Sequence, residues 1–243
     1  MANVELFNVA AERNRVALLW YAPRRPRGVC LIAGHGYSSS KQNLDFLCGF
    51  LASHGFGAYS IDFPGHKLGA SGGALGGVDD CVDAMTAAVR FARERAEGEI
   101  YVMGHSMGGM SAIFTAALDA TILGTIAIAT GYGRPTSLAT LRAAGATDFR
   151  SSYVVGVTLP ELVERADERY AAMLPRLAGR PALYVAADRD GMVSPRSVRE
   201  LYDRAPEPKT FKSIDSDHTY AGDHARAAVL EWLNELHPRE RQG

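Results

Sequence analysis

Cysteine is scarce, at 3 in 243 residues, and no Cys-x-x-Cys pair occurs. Cys30 lies in an apolar run, while Cys48 and Cys81 fall on helix-like faces. An odd, scattered set offers no disulfide framework and no zinc-ligand spacing. Such usage fits a reducing compartment, and the chain reads as cytoplasmic. An excess of one charge is also lacking: 26 Lys and Arg stand against 27 Asp and Glu, for a net charge of -1. Nucleic acid and anionic membrane surfaces therefore lose their electrostatic warrant as partners. The densest basic stretch, "PRRPRG" from Pro23 to Gly28, is short and broken by proline, and reads as a solvated hairpin turn between two strands. No apolar run approaches the ~18 residues of a membrane-spanning helix. The first residues, "MANVELFNVAAERNR", carry acids and no continuous apolar stretch, so no secretory leader is expected. Internal repeats are absent. The glycine-rich "GASGGALGG" (Gly69 to Gly77) lacks the Gly-Lys-Ser/Thr of a phosphate loop, and reads as a mobile surface loop after a strand.

What the chain has is apolar content, 47%, arranged in alternation. Short apolar runs such as "GVCLIAG", "FGAYSIDFPG", "EIYVMGH", "ILGTIAIAT" and "PALYVAAD" read as buried strands. Between them lie helical patterns. Val78 to Glu97 has apolar residues at 78, 81, 82, 85, 88, 89 and 92, which follows the helical period, and Asp79 and Asp80 suit a first turn. "MGGMSAIFTAAL" and "PRSVRELYDRA" are helical too, as is the last stretch, with Ala225, Ala228, Val229, Trp232, Leu233 and Leu236 on one face. Buried strands alternating with amphipathic helices imply a mostly parallel sheet with helices on both faces. The alternation breaks at Gly131 to Arg180, which contains the helix-like "SLATLRAAG" and "LPELVERADERYAAMLPRL" around "SSYVVGVT". That length exceeds a plain crossover but is too small for a strong core of its own. The expectation is one domain, 1–243, with a small helical cap-like insertion at 131–180.

One serine sits in an unusual place. In "YVMGHSMGGMSA" (Tyr101 to Ala112), Ser106 stands where a buried strand ends and a helix begins. A tight turn there brings strand and helix close, and Gly104 and Gly108 remove the side chains that would collide. The hydroxyl is lifted to the C-terminal edge of the sheet, where open α/β sheets bind ligands. Free N–H groups at the start of the helix favour negative charge at the same spot, as acyl transfer requires.

A serine hydroxyl is a weak nucleophile and needs a base. Of 7 histidines, His218 follows the last strand and precedes the last helix, so it lies at the same sheet edge. His224 falls at the start of the final helix; His35 and His105 suit loop bracing, His66 a turn, and His54 and His237 helix ends. The imidazole in turn needs an acid to fix its tautomer. Asp188 and Asp190, both after "PALYVAA", are candidates, whereas Asp215 and Asp217 suit loop formation.

Together these stretches resemble the α/β-hydrolase family. "GHSMGG" resembles its nucleophile elbow, "AGHGYSSS" (Ala33 to Ser40) its oxyanion loop, "IDFPGH" its Asp-x-Pro-Gly-His turn, "AADRDGMVSP" its acid loop and "DSDHTY" its histidine loop. The resemblance spans nearly the whole chain in the right order. It departs in the length of "FPGHKLGASGG", in Ala187 where glycine is usual, and in the added Ser194 before Pro195. It implies the α/β-hydrolase fold, and the family's Gly-x-x-Asp-x-x-Val pattern, laid on Ala187 to Val193, selects Asp190 as the acid. It implies an oxyanion hole made by the backbone N–H groups of Met107 and Tyr37.

The function so implied is a serine carboxylesterase that cleaves small-molecule esters of small to medium acyl chains through an acyl-enzyme, with no metal or cofactor. Thioesterase, lysophospholipase or monoacylglycerol lipase, and serine aminopeptidase chemistry would use the same residues. A non-catalytic ligand-binding relative is the reading of another class. In the insertion, Tyr153, Val154, Val155, Val157, Leu159 and Leu162 cluster. Tyr153, Val155 and Leu159 are expected to line an apolar acyl pocket over Ser106. The alternative is that the cluster packs on the rim of the core.

Overall fold

The computed structural model describes residues 3–132, 150–164 and 166–239. Its strands are β1 (Asn3–Ala10), β2 (Arg15–Ala22), β3 (Val29–Gly34), β4 (Gly57–Ile61), β5 (Glu99–His105), β6 (Gly124–Ile128), β7 (Ala182–Ala187) and β8 (Lys209–Ile214). They form one eight-stranded sheet in the order β1-β2-β4-β3-β5-β6-β7-β8. The pairs β1–β2 and β2–β4 are antiparallel, and every later pair is parallel.

The helices are α1 (Asp45–Ser53), α2 (Val78–Glu94), α3 (Met107–Leu118), α4 (Leu159–Val163), α5 (Ala166–Met173), α6 (Pro195–Arg204), α7 (Ala221–His224) and α8 (Arg226–Leu236). Strand residues alternate between two cores. In β3, Cys30 and Ile32 face the core shared with α2 and α3, while Val29, Leu31 and Ala33 face that of α1 and α8. The same alternation divides Tyr184 and Ala186 of β7 from Leu183 and Val185. Strands buried on both faces are near-continuous apolar runs for this reason. This is the α/β-hydrolase fold expected from the sequence.

Strand order places the site. From β3 the chain steps through α1 to β4 on one side, then through α2 to β5 on the other. The loops leaving β3 and β5 therefore diverge, and a crevice opens between their C-terminal ends. Ser106 leaves β5 and the segment 35–40 leaves β3, so both border that crevice.

Three expectations change. "PRRPRG" is no hairpin turn, because β4 lies between β2 and β3. The hairpin is β1–β2, whose first strand breaks its apolar residues with Asn3, Glu5 and Asn8 and buries none of them fully. The segment 23–28 is instead tied down: Arg27 N–H donates to Gly55 O, and its guanidinium lies 4.2 Å over the Phe56 ring. The glycine-rich segment after β4 is also pinned. Ser71 and Leu75 are buried, Ser71 Oγ donates to Asp62 O and accepts from Ala17 N–H, and Ala70 N–H donates to the Asp62 carboxylate. Last, the helix expected to continue to Glu97 ends at Glu94, where Ala96 turns to φ 54. "SLATLRAAG" lies outside the described residues.

Candidate active site

Ser106 is the hinge between β5 and α3, at φ 54 and ψ -116. A non-glycine residue pays strain there, and it persists only where its surroundings hold it. They do: Ser106 N–H donates to Ile128 O at 2.8 Å, and its carbonyl accepts from Thr130 Oγ1 at 2.9 Å. A Cβ on Gly104 would strike the Gly108 carbonyl, and one on Gly108 would strike the Gly34 carbonyl of β3. The two glycines thus let helix and strands meet backbone to backbone. Met107, the first residue of α3, is buried and keeps an N–H that no helical carbonyl can reach.

Asp190 and His218 are brought together. Both are buried, and His218 Nδ1 lies 2.7 Å from Asp190 Oδ2. The other carboxylate oxygen, Oδ1, accepts N–H bonds from Met192 and Val193 at 2.8 and 2.7 Å. One oxygen fixes the acid to its loop and the other is left for the imidazole. With Nδ1 donating to the carboxylate, neutral His218 has its lone pair on Nε2, the tautomer a general base needs. Asp188 is exposed and accepts from Ser213 Oγ, away from the histidine. Asp215 pairs with Arg189, and Asp217 accepts from Tyr220 N–H, so both shape the loop. The ring of His105, the residue before Ser106, lies 4.7 Å from the ring of His218. This contact joins the His218 loop to the elbow.

The segment after β3 closes the other side. A Cβ on Gly36 would lie 3.0 Å from His105 Nδ1 and 3.5 Å from Ser106 Cβ, so the loop runs directly over the elbow. His35 braces it: Phe63 N–H donates to His35 Nε2 at 3.0 Å, and Nδ1 lies 2.8 Å from Gly36 O. Burial, and then neighbouring His66, pulls His35 down to about 3. Burial, and then His218, pulls His105 down to about 3 as well. Both stay neutral and brace the site without competing with the charge that would form on His218. Tyr37 follows Gly36, is buried, and donates its hydroxyl to Val157 O at 3.0 Å.

The chain matches the family described as serine aminopeptidase, S33, over residues 24–173, more than half its length. It belongs to that family of α/β serine hydrolases. No curated protein matches it in sequence. Among solved structures, the esterase Pf2001 of Pyrococcus furiosus superposes with a TM-score of 0.72 at 20% identity, over 97% of this chain and 92% of that one. Est1E of Butyrivibrio proteoclasticus, with ferulic acid bound, gives 0.70 at 18%, over 95% and 97%. A monoacylglycerol lipase of Paleococcus ferrophilus gives 0.67 at 20%, over 95% and 99%. At these identities the likeness is one of fold.

In this hydrolase the segment between β6 and β7 is bonded to the loop after β4 through main-chain groups. Lys67 N–H donates to Tyr153 O, Val155 N–H to Gly65 O, Leu75 N–H to Val155 O and Val157 N–H to Leu75 O. Of the expected lining residues, Tyr153 and Leu159 are half-buried, and Leu159 packs against the core. Val155 is 46% exposed, whereas Val154 and Leu162 are buried in the core of α2 and α3. Part of the apolar cluster therefore packs on the core rim. No helix of the described residues is long and apolar enough to cross a membrane.

A buried ion pair went unread in the sequence. Lys41 Nζ lies 2.5 Å from Asp62 Oδ2, with both side chains almost wholly buried. The Asp62 carboxylate also accepts from Lys41 N–H and Ala70 N–H. It ties the segment after β3 to the one after β4. Asp62 was visible as the first residue of the Asp-x-Pro-Gly-His turn; its partner lies 21 residues away and has no local signal. A desolvated pair of this kind adds little net stability but makes loss of either partner costly.

Proposed function

We propose that this hydrolase is a serine carboxylesterase with Ser106 as nucleophile, His218 as general base and Asp190 as the acid that orients it. The observation that carries the reading is the 2.7 Å contact of His218 Nδ1 with Asp190 Oδ2, joined through His105 to a strained serine elbow. In the reaction, Ser106 Oγ attacks the ester carbonyl carbon while His218 Nε2 takes its proton. The tetrahedral oxyanion is held by the N–H groups of Tyr37 and Met107. The carbon–oxygen bond to the alcohol breaks, and His218 returns the proton to the leaving oxygen. A water, deprotonated by His218, attacks the acyl-enzyme and releases the acid and Ser106. Asp190 stays ionised throughout and stabilises the imidazolium. Three side chains, two backbone N–H groups and a water carry every step.

The insertion, residues 131–180, belongs to the same folding unit and forms the acyl side of the pocket, with Tyr153, Val155 and Leu159 at its wall. That location supports small to medium acyl chains. The esterases and the lipase of like fold support ester over amide cleavage, while the family's description keeps aminopeptidase activity as the competitor. Two assays test this. A fluorophosphonate probe should label the native chain and fail on Ser106→Ala. Hydrolysis of alkyl esters should exceed that of aminoacyl amides and of thioesters. An unlabelled but folded native chain would turn the reading toward a ligand-binding relative.

A further inference from the structure

We propose that Arg150 recognises an anionic group on the ester, a carboxylate or phosphate placed a few bonds from the scissile carbonyl. This deepens the esterase reading and rests on it. Arg150 is half-buried, and its Nη1 lies 3.3 Å from Ser38 Oγ. Ser38 directly follows Tyr37, whose N–H is assigned to the oxyanion hole, and is held at φ 62. The guanidinium therefore sits at the edge of the crevice, beside the loop that runs over Ser106. Its charge also reaches His105 at the elbow, where it adds to the depression of that histidine.

The carboxylates at this end are already engaged. Asp190 is held by His218 and two N–H groups, and Asp62 by Lys41 and Ala70 N–H. Glu161 accepts from Thr158 N–H and Oγ1. The neighbouring histidines His35, His66 and His105 are all pushed toward the neutral form by burial. No carboxylate of the described residues pairs with Arg150. A guanidinium has five N–H donors in a planar fork that fits an oxyanion in two-point contact. Toward the described residues its hydrogen bond is a long one to a neutral hydroxyl, which leaves donor capacity for a ligand. The competing role is a latch that holds the insertion to the oxyanion loop.

The test compares kcat/KM for matched pairs at neutral pH. Monoethyl glutarate against ethyl valerate places the anion on the acyl side. Butyrylglycerol phosphate against butyrylglycerol places it on the alcohol side. One of the two pairs should favour the anion by roughly tenfold or more, as a charge-assisted contact gives, mainly through KM. Arg150→Gln should erase that preference and leave the neutral ester within about threefold of wild type. Arg150→Lys should keep part of it, and Ser38→Ala, which removes the latch but keeps the cation, should keep it all. Added salt should weaken the preference wherever the cation is kept, in the wild type, Arg150→Lys and Ser38→Ala. Equal loss on charged and neutral esters in both Arg150→Gln and Ser38→Ala would establish the latch and overturn the proposal. So would hydrolysis of the neutral esters with no anion preference in either pair, and there the esterase reading would survive. Failure of the wild type on all four esters would overturn both.

Discussion

The elbow at Ser106 and the segment 150–164 border the same crevice but differ in how many of their positions the backbone contacts constrain. At the elbow, backbone meets backbone: Gly104 faces the Gly108 carbonyl and Gly108 faces the Gly34 carbonyl, with no room for a Cβ. One residue type fits each place. Along 153–157, contact with the loop after β4 runs through main-chain N–H and C=O groups, with the Tyr37 hydroxyl added. Such bonds accept almost any side chain at 153, 155 and 157, while Gly156, at φ 125, would set a Cβ against the Leu75 carbonyl oxygen and so stays glycine. Sequence constraint is thus concentrated where the chemistry is proposed. Apart from Gly156, the proposed acyl side can change its side chains without losing its attachment, and this is how one fold serves many substrates.

The largest effect should come from the hinge residue itself. Ser106→Ala should lower kcat by several powers of ten in a folded protein, because triad members act as a unit. Ser106→Gly should lose as much activity yet gain stability, by about 1 kcal/mol, since glycine relieves the strain of φ 54 and ψ -116. Turnover and thermal unfolding read the two outcomes separately. Near-wild-type turnover in Ser106→Ala would break the assignment.

Next in size is the acid. Asp190→Asn should cost ~10³–10⁴ in kcat, because an amide can hold the wrong tautomer of His218 and cannot stabilise its charged form. Asp188→Asn, at an exposed carboxylate bonded to Ser213, should cost less than about threefold. If the order of the two kcat/KM values is reversed, the acid has been misplaced by one turn of the loop.

What was legible in the sequence follows the same division. Buried strands announce themselves as apolar runs, and the elbow as glycines at fixed distances from Ser106, because the physical demand is local. Asp190 could be told from Asp188 only through the family register against Val193. The hidden parts depend on pairing at a distance. β1 mixes apolar with polar residues and lacks a continuous apolar run, and its identity comes from the ladder with β2. The crossing from β2 to β3 looks like a hairpin until β4 takes its place between them. The glycine-rich segment looked loose because its anchors, Asp62, Ala17 and Val155, lie elsewhere in the chain. Lys41 and Ser38 owe their roles to partners 21 and 112 residues away.

A stability contrast tests the two means of attachment directly. Gly108→Ala should destabilise by about 3 kcal/mol or more, since the methyl group meets a strand carbonyl that cannot move without shifting β3. Val155→Ala, at an exposed side chain whose main-chain bonds are kept, should stay within ~0.5 kcal/mol. Equal effects in chemical denaturation would mean that the crevice is held together differently from this account.

The smallest effect concerns what the insertion does to substrate choice. Val155 presents an exposed apolar side chain on a segment bonded to the loop after β3 through the Tyr37 hydroxyl. If that side chain borders the acyl pocket, each methylene that fits adds up to ~0.8 kcal/mol of binding until the space is filled. The wild-type kcat/KM for 4-nitrophenyl esters should then climb from acetate through medium chains and fall beyond them. Val155→Asp should leave acetate nearly unchanged, because the acetyl group ends short of the wall. It should lower the medium chains by a few-fold, because a carboxylate there keeps water where the chain would lie. The main-chain bonds of Val155 survive the change, so the elbow and its reactivity toward a fluorophosphonate should be untouched. A flat wild-type profile, or a sloping one that Val155→Asp does not alter, would remove Val155 from the pocket wall. The core-rim packing already seen for Val154 and Leu162 would then describe this stretch of the insertion as a whole.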